Sequence, residues 1–553
     1  MKHFFTLILS IVLVASCNKQ VNQNSHNSTT SSAKPKLVVG IVIDQMRYDY
    51  LTRFKHRYGN GGFNRLLNDG FNLKNGHLNY TPTYTAVGHA SAYTGTTPEN
   101  HGIMGNDWYH KYEQKSVYCV DDKDYKTVGS DTKQGEKSPH RMVTNTIGDQ
   151  LHLAQNMNGK VIGLSLKDRG AILPAGHSAN AAYWYDTKKG KFITSTYYMN
   201  ELPKWVKEFN DSGIAEKYVN ETWNTYYDIS TYTSSTSDDN KYEEKFKTED
   251  APVFPHDLKK IKKKEGFNLL KNTPQGNSIL TDLALATIDN EKMGQGEYID
   301  LLAVSYSATD GIGHKFAPNS IEVEDTYIRM DLEIEKLLNH LDKTVGKGNY
   351  TVFLTADHAV TENPNYLKDN KLPAGFRSSK KINDHIKDIA KDKFGEKKLI
   401  EYVQNNNIFL SEKHLKKEKL NRAFVAQTIA DELVKHKKVY KTVTSRTLET
   451  TYFTEGLLAL VQKGFNQKYS GDIVFIYTPS ILSDGYDKKG GTTHGSPYSY
   501  DTHIPMLFYG AGINKGGSHE YNPVTNIAPT ICALLEIEFT NGNSGNVVSE
   551  IIK

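Results

Sequence analysis

Lys36-Leu37-Val38-Val39-Gly40-Ile41-Val42-Ile43, followed at once by Asp44, is the stretch on which the fold turns. After the lysine it contains no polar residue and no alternation. A strand with that pattern is buried on both faces, as in a parallel sheet covered by helices on each side. Similar runs recur at Val161–Leu164, Ile299–Ser305, Thr351–Leu354, Asp472–Tyr477 and Pro505–Tyr509. Between them lie helical periods: Val323, Tyr327, Met330, Ile334, Leu337 and Leu341 step by four and three, one apolar face of a helix. Asn277–Ile288, Arg422–Val434 and Thr525–Leu535 read the same way. The expected fold is α/β, a large and mostly parallel central sheet sandwiched by helices, with inserted segments.

Two segments break the alternation. Tyr226–Lys271 is polar and charged and reads as a surface insertion; Asn363 to about Tyr452 is a larger insertion with its own helix, a candidate cap or subdomain. At the other end, Lys2 and the apolar run Phe4–Ala15 have the form of an export signal, too short to span a bilayer. Val14-Ala15-Ser16-Cys17 fits a bacterial lipobox, with ordinary signal-peptidase cleavage nearby as the alternative. Residues 18–36 are rich in Asn, Ser, Thr and Gln and read as a tether. The organisation expected is therefore a signal and anchor cysteine over 1–17, a tether over 18–36 and one catalytic domain over 37–553. The location expected is the periplasm or the outer membrane of a bacterium, with membrane contact only through a lipid on Cys17.

Composition narrows the partners. A formal net charge of +4 on 553 residues gives no reason to expect nucleic acid or an anionic membrane. Only Cys119 and Cys532 remain once Cys17 is set aside, and sequence does not say whether they pair. Any metal must then be held by histidine and carboxylate.

Those residues fall in a pattern. Asp44 ends the first buried run, Asp310 and His314 follow another in SATDGIGH, and Asp357-His358 follow a third in TADH. In open α/β sheets ligands bind beyond the carboxyl ends of the strands, so three strands would deliver acids and imidazoles to one edge. Each element taken alone also has a plain reading. A strand-end Asp is often a helix cap, Asp-His is often a polar turn, and His494 in GGTTHGSP is a loop histidine. Asp310 and His314 stand four apart and can converge, with Gly311 and Gly313 permitting a tight backbone. Asp44, Asp310, His314, Asp357 and His358 together suit a metal centre better than chance, and His494 would be a sixth ligand.

Asp44, TPTYTAVGHASAYTG (Thr81–Gly95), SATDGIGHKFAPNS, TADH and GGTTHGSPYSYD resemble, in order, the motifs of the alkaline phosphatase superfamily, most closely its phosphate-irrepressible (PafA-type) bacterial members. The resemblance implies two zinc ions per chain. One would be held by Asp44, Asp357, His358 and the Thr85 oxygen, the other by Asp310, His314 and His494. It selects Thr85 as nucleophile over Thr81, Thr83, Ser91 and Thr94, which spacing alone does not. It also implies that Asn106, Lys167 and Arg169 bind phosphate, and it leaves His89 a packing role. The activity implied is broad hydrolysis of phosphate monoesters on small metabolites through a phospho-threonine, by a chain expected to act as a monomer.

The residues agree with that chemistry. Histidine and carboxylate ligands with a position left open describe catalytic zinc. Two such ions about 4 Å apart clamp an in-line displacement. Two zinc ions set against three aspartates, with Lys167 and Arg169 added, leave a positive site that a monoester dianion balances better than a diester monoanion. Lys167 is expected to take the place of a third, magnesium, site. Sulfatases of the same scaffold need Cys or Ser in a Cys/Ser-x-Pro-x-Arg motif, which Thr85-Ala86-Val87-Gly88-His89 lacks. Nucleotide pyrophosphatase/phosphodiesterases share the threonine and six ligands and are the nearer rival, opposed by Asn106, Lys167 and Arg169. A lipoprotein that stores zinc or binds phosphorylated ligands without turnover is the non-enzymatic alternative.

Overall fold

All seven residues of β1 (Leu37–Ile43) are buried, as a strand flanked on both faces requires. In this computed structural model, which describes residues 34–553, β1 lies inside a ten-stranded sheet. The leader, Cys17 and the tether up to residue 33 fall outside the described residues. The other strands, in chain order, are β2 (Phe71–His77), β3 (Thr127–Val128), β4 (Val161–Ser165), β5 (Ala181–Asp186), β6 (Lys191–Ser195), β7 (Asp300–Tyr306), β8 (Tyr350–Thr355), β9 (Met506–Gly510) and β10 (Gly516–Pro523). They are arranged β10-β2-β9-β8-β1-β7-β4-β5-β6-β3. From β8 through β1, β7 and β4 to β5 every pairing is parallel. The pairings β8–β9, β9–β2 and β5–β6 are antiparallel. The Pro505–Tyr509 run is thus a strand, but one that runs against its neighbour.

Helices cover both faces. The long helix Ile321–Leu341 carries the chain from β7 to β8 across β1 and packs with Gln275–Glu291. All six residues of its expected apolar stripe are buried. A second group contains α1 (Thr85–Thr94), α2 (Asp168–Ala175) and Ile527–Leu535, with α1 in contact with both of the others. Gly40 explains how α1 comes so close to β1: a Cβ there would stand 2.2 Å from the Tyr93 hydroxyl and 2.4 Å from the Phe353 ring.

The run read as a further strand at Asp472–Tyr477 does not join this sheet. Ile473–Tyr477 belongs to a separate four-stranded antiparallel sheet with Ile400–Gln404, Asn407–Leu410 and Val439–Thr444. Its apolar residues fill a second hydrophobic cluster, running from Ile382 to Phe475, under the helices Ser379–Phe394 and Arg422–Leu433. A short apolar run looks alike in either sheet; only its partners differ. Within Tyr226–Lys271, Phe246, His256 and Leu258 are buried, so that segment is more than surface. Cys119 and Cys532 are both buried free thiols.

Candidate active site

Four adjacent parallel strands, β8, β1, β7 and β4, end on the same edge, and each is followed there by polar side chains. Asp44 follows β1, Asp357 and His358 follow β8, and Lys167 and Arg169 follow β4 at the start of α2. After β7 comes α3 (Ala308–Phe316), with Asp310 in its first turn and His314 one turn on. Residues four apart lie on one helical face, so both side chains reach the same place. Gly311 and Gly313 therefore sit in a helix rather than in the tight turn expected of them. They are there for clearance: a Cβ on Gly313 would lie 1.9 Å from Gln45 Oε1, and one on Gly311 would lie 2.0 Å from the Lys271 carbonyl.

The six expected ligands come together. Oxygen and nitrogen atoms of Asp44, Asp357 and His358 lie within 4.8 Å of one another, as do those of Asp310, His358 and His494. His358 thus belongs to both groups, its ring stacked on that of His494 with centroids 3.4 Å apart. His314 stands on the other side of Asp310, with Nε2 3.1 Å from Oδ1. The first expected group is thus together, and in the second Asp310 has both His314 and His494 beside it, with His358 close to both groups. Lys167 joins the two groups, its Nζ donating to Asp44 Oδ2 and to Asp310 Oδ2, each at 2.6 Å.

The donor set fits cations. The Nδ1 atoms of His314, His358 and His494 are each hydrogen-bonded to a backbone carbonyl, of Thr492 (2.8 Å), Ala359 (3.1 Å) and Thr83 (2.6 Å). A carbonyl only accepts, so the proton sits on Nδ1 and each Nε2 presents its lone pair to the centre, as metal-binding histidines are usually oriented. Asp44 Oδ1, Asp357 Oδ2 and His358 Nε2 are buried without any hydrogen-bond partner. Orphaned buried atoms of this kind are costly, and here three converge.

Electrostatics point the same way. Burial, then the neighbouring charge of Asp44, raises the Asp357 pKa well above the usual carboxylate range. Burial pushes His358 down to about 4, and burial with His358 and His314 holds His494 well below its ordinary value. Burial works against ionisation of Asp310 as well, but His314 and Lys167 outweigh it and hold the carboxyl well below its ordinary value. Three carboxylates in one dry centre can all be ionised only when further positive charge joins Lys167.

Thr85 is the first residue of α1 and is buried. Two contacts bring it to the centre: His494 is anchored on Thr83, two residues before it, and Gly88 packs directly on Asp357. A Cβ on Gly88 would lie 2.1 Å from the Asp357 carbonyl oxygen, so only glycine lets α1 approach this closely. Asn106 Oδ1 accepts from the Ala86 N–H at 2.9 Å, which leaves its NH2 group facing away from that bond. Arg169 Nη1 donates to the Tyr118 hydroxyl at 3.0 Å, and Tyr118 in turn donates to Asp168. His89 has both nitrogens engaged, Nδ1 by the Thr85 carbonyl and Nε2 by Ser305 Oγ, each at 2.8 Å.

Sequence reasoning passed over two contributors. Gln45 adopts a left-handed φ of +67°, donates from its backbone N–H to Asp357 Oδ1 (3.1 Å) and from Nε2 to Asp310 Oδ1 (2.7 Å). Its place directly after Asp44 was the one available signal. Tyr118 had none, being a single residue of a hairpin strand.

The chain is similar to known proteins over almost its whole length. The family described as type I phosphodiesterase / nucleotide pyrophosphatase matches residues 38–499. Alkaline phosphatase PafA of Elizabethkingia meningoseptica is 44% identical over 95% of this chain and 96% of its own. A Myroides odoratus protein named as a calcium-transporting ATPase is 46% identical over 94% of this chain and 95% of its own. The crystal structure of wild-type PafA superposes with a TM-score of 0.90 at 43% identity, covering 94% of this chain and 99% of that one.

Proposed function

We propose, for a chain that belongs to the type I phosphodiesterase / nucleotide pyrophosphatase family and, within the alkaline phosphatase superfamily, to its PafA-type enzymes, that this phosphoric monoester hydrolase works through a phospho-Thr85 intermediate at a two-zinc centre. The observation that carries the reading is the convergence of Asp44 Oδ1, Asp357 Oδ2 and His358 Nε2, all buried and unpartnered, beside the helix that Thr85 begins. Asp44, Asp357 and His358 would hold one zinc together with Thr85, and Asp310, His314 and His494 the other. Bound there, the ions supply positive charge for the attacking and departing oxygens of an in-line displacement.

The chain's own groups do the rest. The Thr85 hydroxyl oxygen attacks phosphorus from the first turn of α1, where the helix N-terminus favours negative charge; the P–O bond to the leaving group breaks, and the alcohol departs with the proton given up by Thr85. Asn106, fixed through Ala86, offers its amide NH2 to a phosphate oxygen. Arg169, oriented by Tyr118, offers two parallel N–H donors, a geometry suited to two phosphate oxygens. Lys167 adds a third donor, and a second positive charge, by exchanging one of its carboxylate partners for the substrate. Water then displaces Thr85 from phosphorus and releases inorganic phosphate. Three donors beyond the metal ligands suit a dianion, which supports monoesters of small metabolites over diesters. The terminal phosphoryl group of ATP meets the same site by the same chemistry, which accommodates the name of the Myroides relative. Among the described residues no helix is long and apolar enough to cross a membrane. Export with a lipid on Cys17 completes the reading, and incorporation of labelled palmitate, lost in Cys17→Ala, tests it.

Steady-state kinetics on an aryl phosphate monoester and its diester, with and without a chelator, test the function itself. Monoester turnover should exceed diester turnover, stop on chelation and return with zinc. Thr85→Ala should lose more than about a thousandfold in kcat. Acid-quenched protein should carry one phosphoryl group on the peptide containing Thr85. A faster diester reaction, or full activity in Thr85→Ala, would overturn the assignment.

A further inference from the structure

Beside the metal centre lies a cavity of about 140 Å³ between the main body and the four-stranded sheet. His494 lies in its wall, so it opens directly from the proposed zinc ligands. Tyr84, the residue before Thr85, stands edge-on to the His494 ring with centroids 5.9 Å apart. The wall also contains Trp108, Tyr109, Tyr469 and Tyr477, and one arginine, Arg377.

Arg377 comes from the short strand Gly375–Arg377 of the inserted segment. Its guanidinium carbon lies 4.1 Å from the Tyr477 ring centroid. Nη1 donates to Ser379 Oγ at 2.7 Å, while Nε is buried without a partner, and no carboxylate among the described residues pairs with the group. The one acid in the wall, Asp501, has Oδ2 turned to the Gly495 and Ser496 N–H groups. Arg377 is therefore an uncompensated cation, flattened against a tyrosine so that its fork of donors is held in one plane. Tyr84, Arg377 and His494 line the same cavity.

We infer that this cavity receives the leaving group of the substrate and that Arg377 selects leaving groups that are aromatic and carry an anionic substituent. The inference rests on the phosphomonoesterase reading and adds a substrate class to it. Arginine meets a carboxylate or a second phosphate through two parallel hydrogen bonds, and a guanidinium without a carboxylate partner is free to take one. The tyrosine and tryptophan rings stack on an aromatic body.

The test compares phenyl phosphate with 4-carboxyphenyl phosphate on wild-type protein, Arg377→Met and Arg377→Lys. The ratio of their kcat/KM values cancels any general effect of a substitution on folding or metal content. In Arg377→Met the ratio should shift about tenfold against the carboxylated ester, the worth of one charge-assisted contact. Arg377→Lys should recover part of that shift, because it keeps the charge and loses the planar fork. 4-Phosphonophenyl phosphate in the same series separates the two anions: a larger shift than for the carboxylate points to a second phosphate as the natural substituent. If wild-type protein turned over neither ester, the phosphomonoesterase reading would fall and this inference with it. If both were turned over and the ratio were the same in all three proteins, the inference alone would fall.

Discussion

Removal of Lys167 tests the centre most directly, because its single ammonium joins the two halves. Nζ lies 2.6 Å from both Asp44 Oδ2 and Asp310 Oδ2, and the side chain is nearly inaccessible to solvent. Lys167→Met keeps most of the volume and deletes the charge. Two buried carboxylate oxygens then lose their only cation, and breaking a buried pair of this kind costs about 3–5 kcal/mol. With unfolding entropy near 2.1 cal/mol/K per residue, a chain of this size loses about 3–5 °C in Tm for that cost. The loss should be full in chelator. It should shrink in excess zinc, because divalent cations neutralise the same oxygens and binding to the folded form restores stability by mass action. Thermal melts of parent and variant, each in chelator and in zinc, give the four numbers needed. The parent–variant gap should be larger without metal than with it, and kcat/KM on a monoester should fall about a hundredfold with the lost phosphate contact. Equal gaps in chelator and in zinc would mean that Lys167 does not substitute for cation charge. The electrostatic account of the centre would then be wrong.

Three further outcomes follow from particular contacts. Gly88→Ala places a methyl 2.1 Å from the Asp357 carbonyl oxygen, so α1 must move off the centre; stability should fall by about 1–3 kcal/mol in a denaturant melt, with activity falling further. Gln45→Gly suits the φ of +67° but loses the 2.7 Å bond to Asp310, so zinc affinity measured against a competing chelator should weaken about 10–100-fold. Unaltered affinity would remove Gln45 from the centre. His101 is buried, accepts from the Ile103 N–H through Nδ1, and is lowered by burial to a pKa of about 3. Above pH 6.5 it is neutral folded or unfolded, and its contribution is complete. As pH falls from 6.5 toward 3 the unfolded chain takes the proton first, so stability is lost at up to about 1.4 kcal/mol per pH unit. His101→Asn keeps an acceptor and does not titrate. Urea midpoints at pH 7 and pH 5 should therefore fall less in the variant than in the parent.

The fold was legible where a local pattern carries it. An uninterrupted apolar run can be satisfied only by burial on both faces, and β1, β4, β7 and β8 all form as parallel strands. The stripe from Val323 to Leu341 has one helical solution, and the helix forms. The run at 472–477 was misplaced because apolarity reports burial and not the identity of the neighbour. Its neighbours, at 400–410 and 439–444, pair with it only through the folded insertion. The glycines of α3 suggest a turn where a helix forms, because sequence shows their freedom and not what lies against them.

Sequence by itself determined which chemistry is available: acids and imidazoles at strand ends, almost no cysteine, and a threonine at the head of a helical run. Tertiary structure alone decided how those groups are shared. Lys167 ties Asp44 to Asp310, His358 stacks on His494, Gln45 reaches two carboxylates, and Arg377 faces the cavity from the inserted segment. The physical reason is range. Periodicity and propensity act over a few residues, whereas charge coupling at this centre depends on ångström separations between positions as distant as 44 and 494, and these exist only once the sheet has closed and its edge is packed.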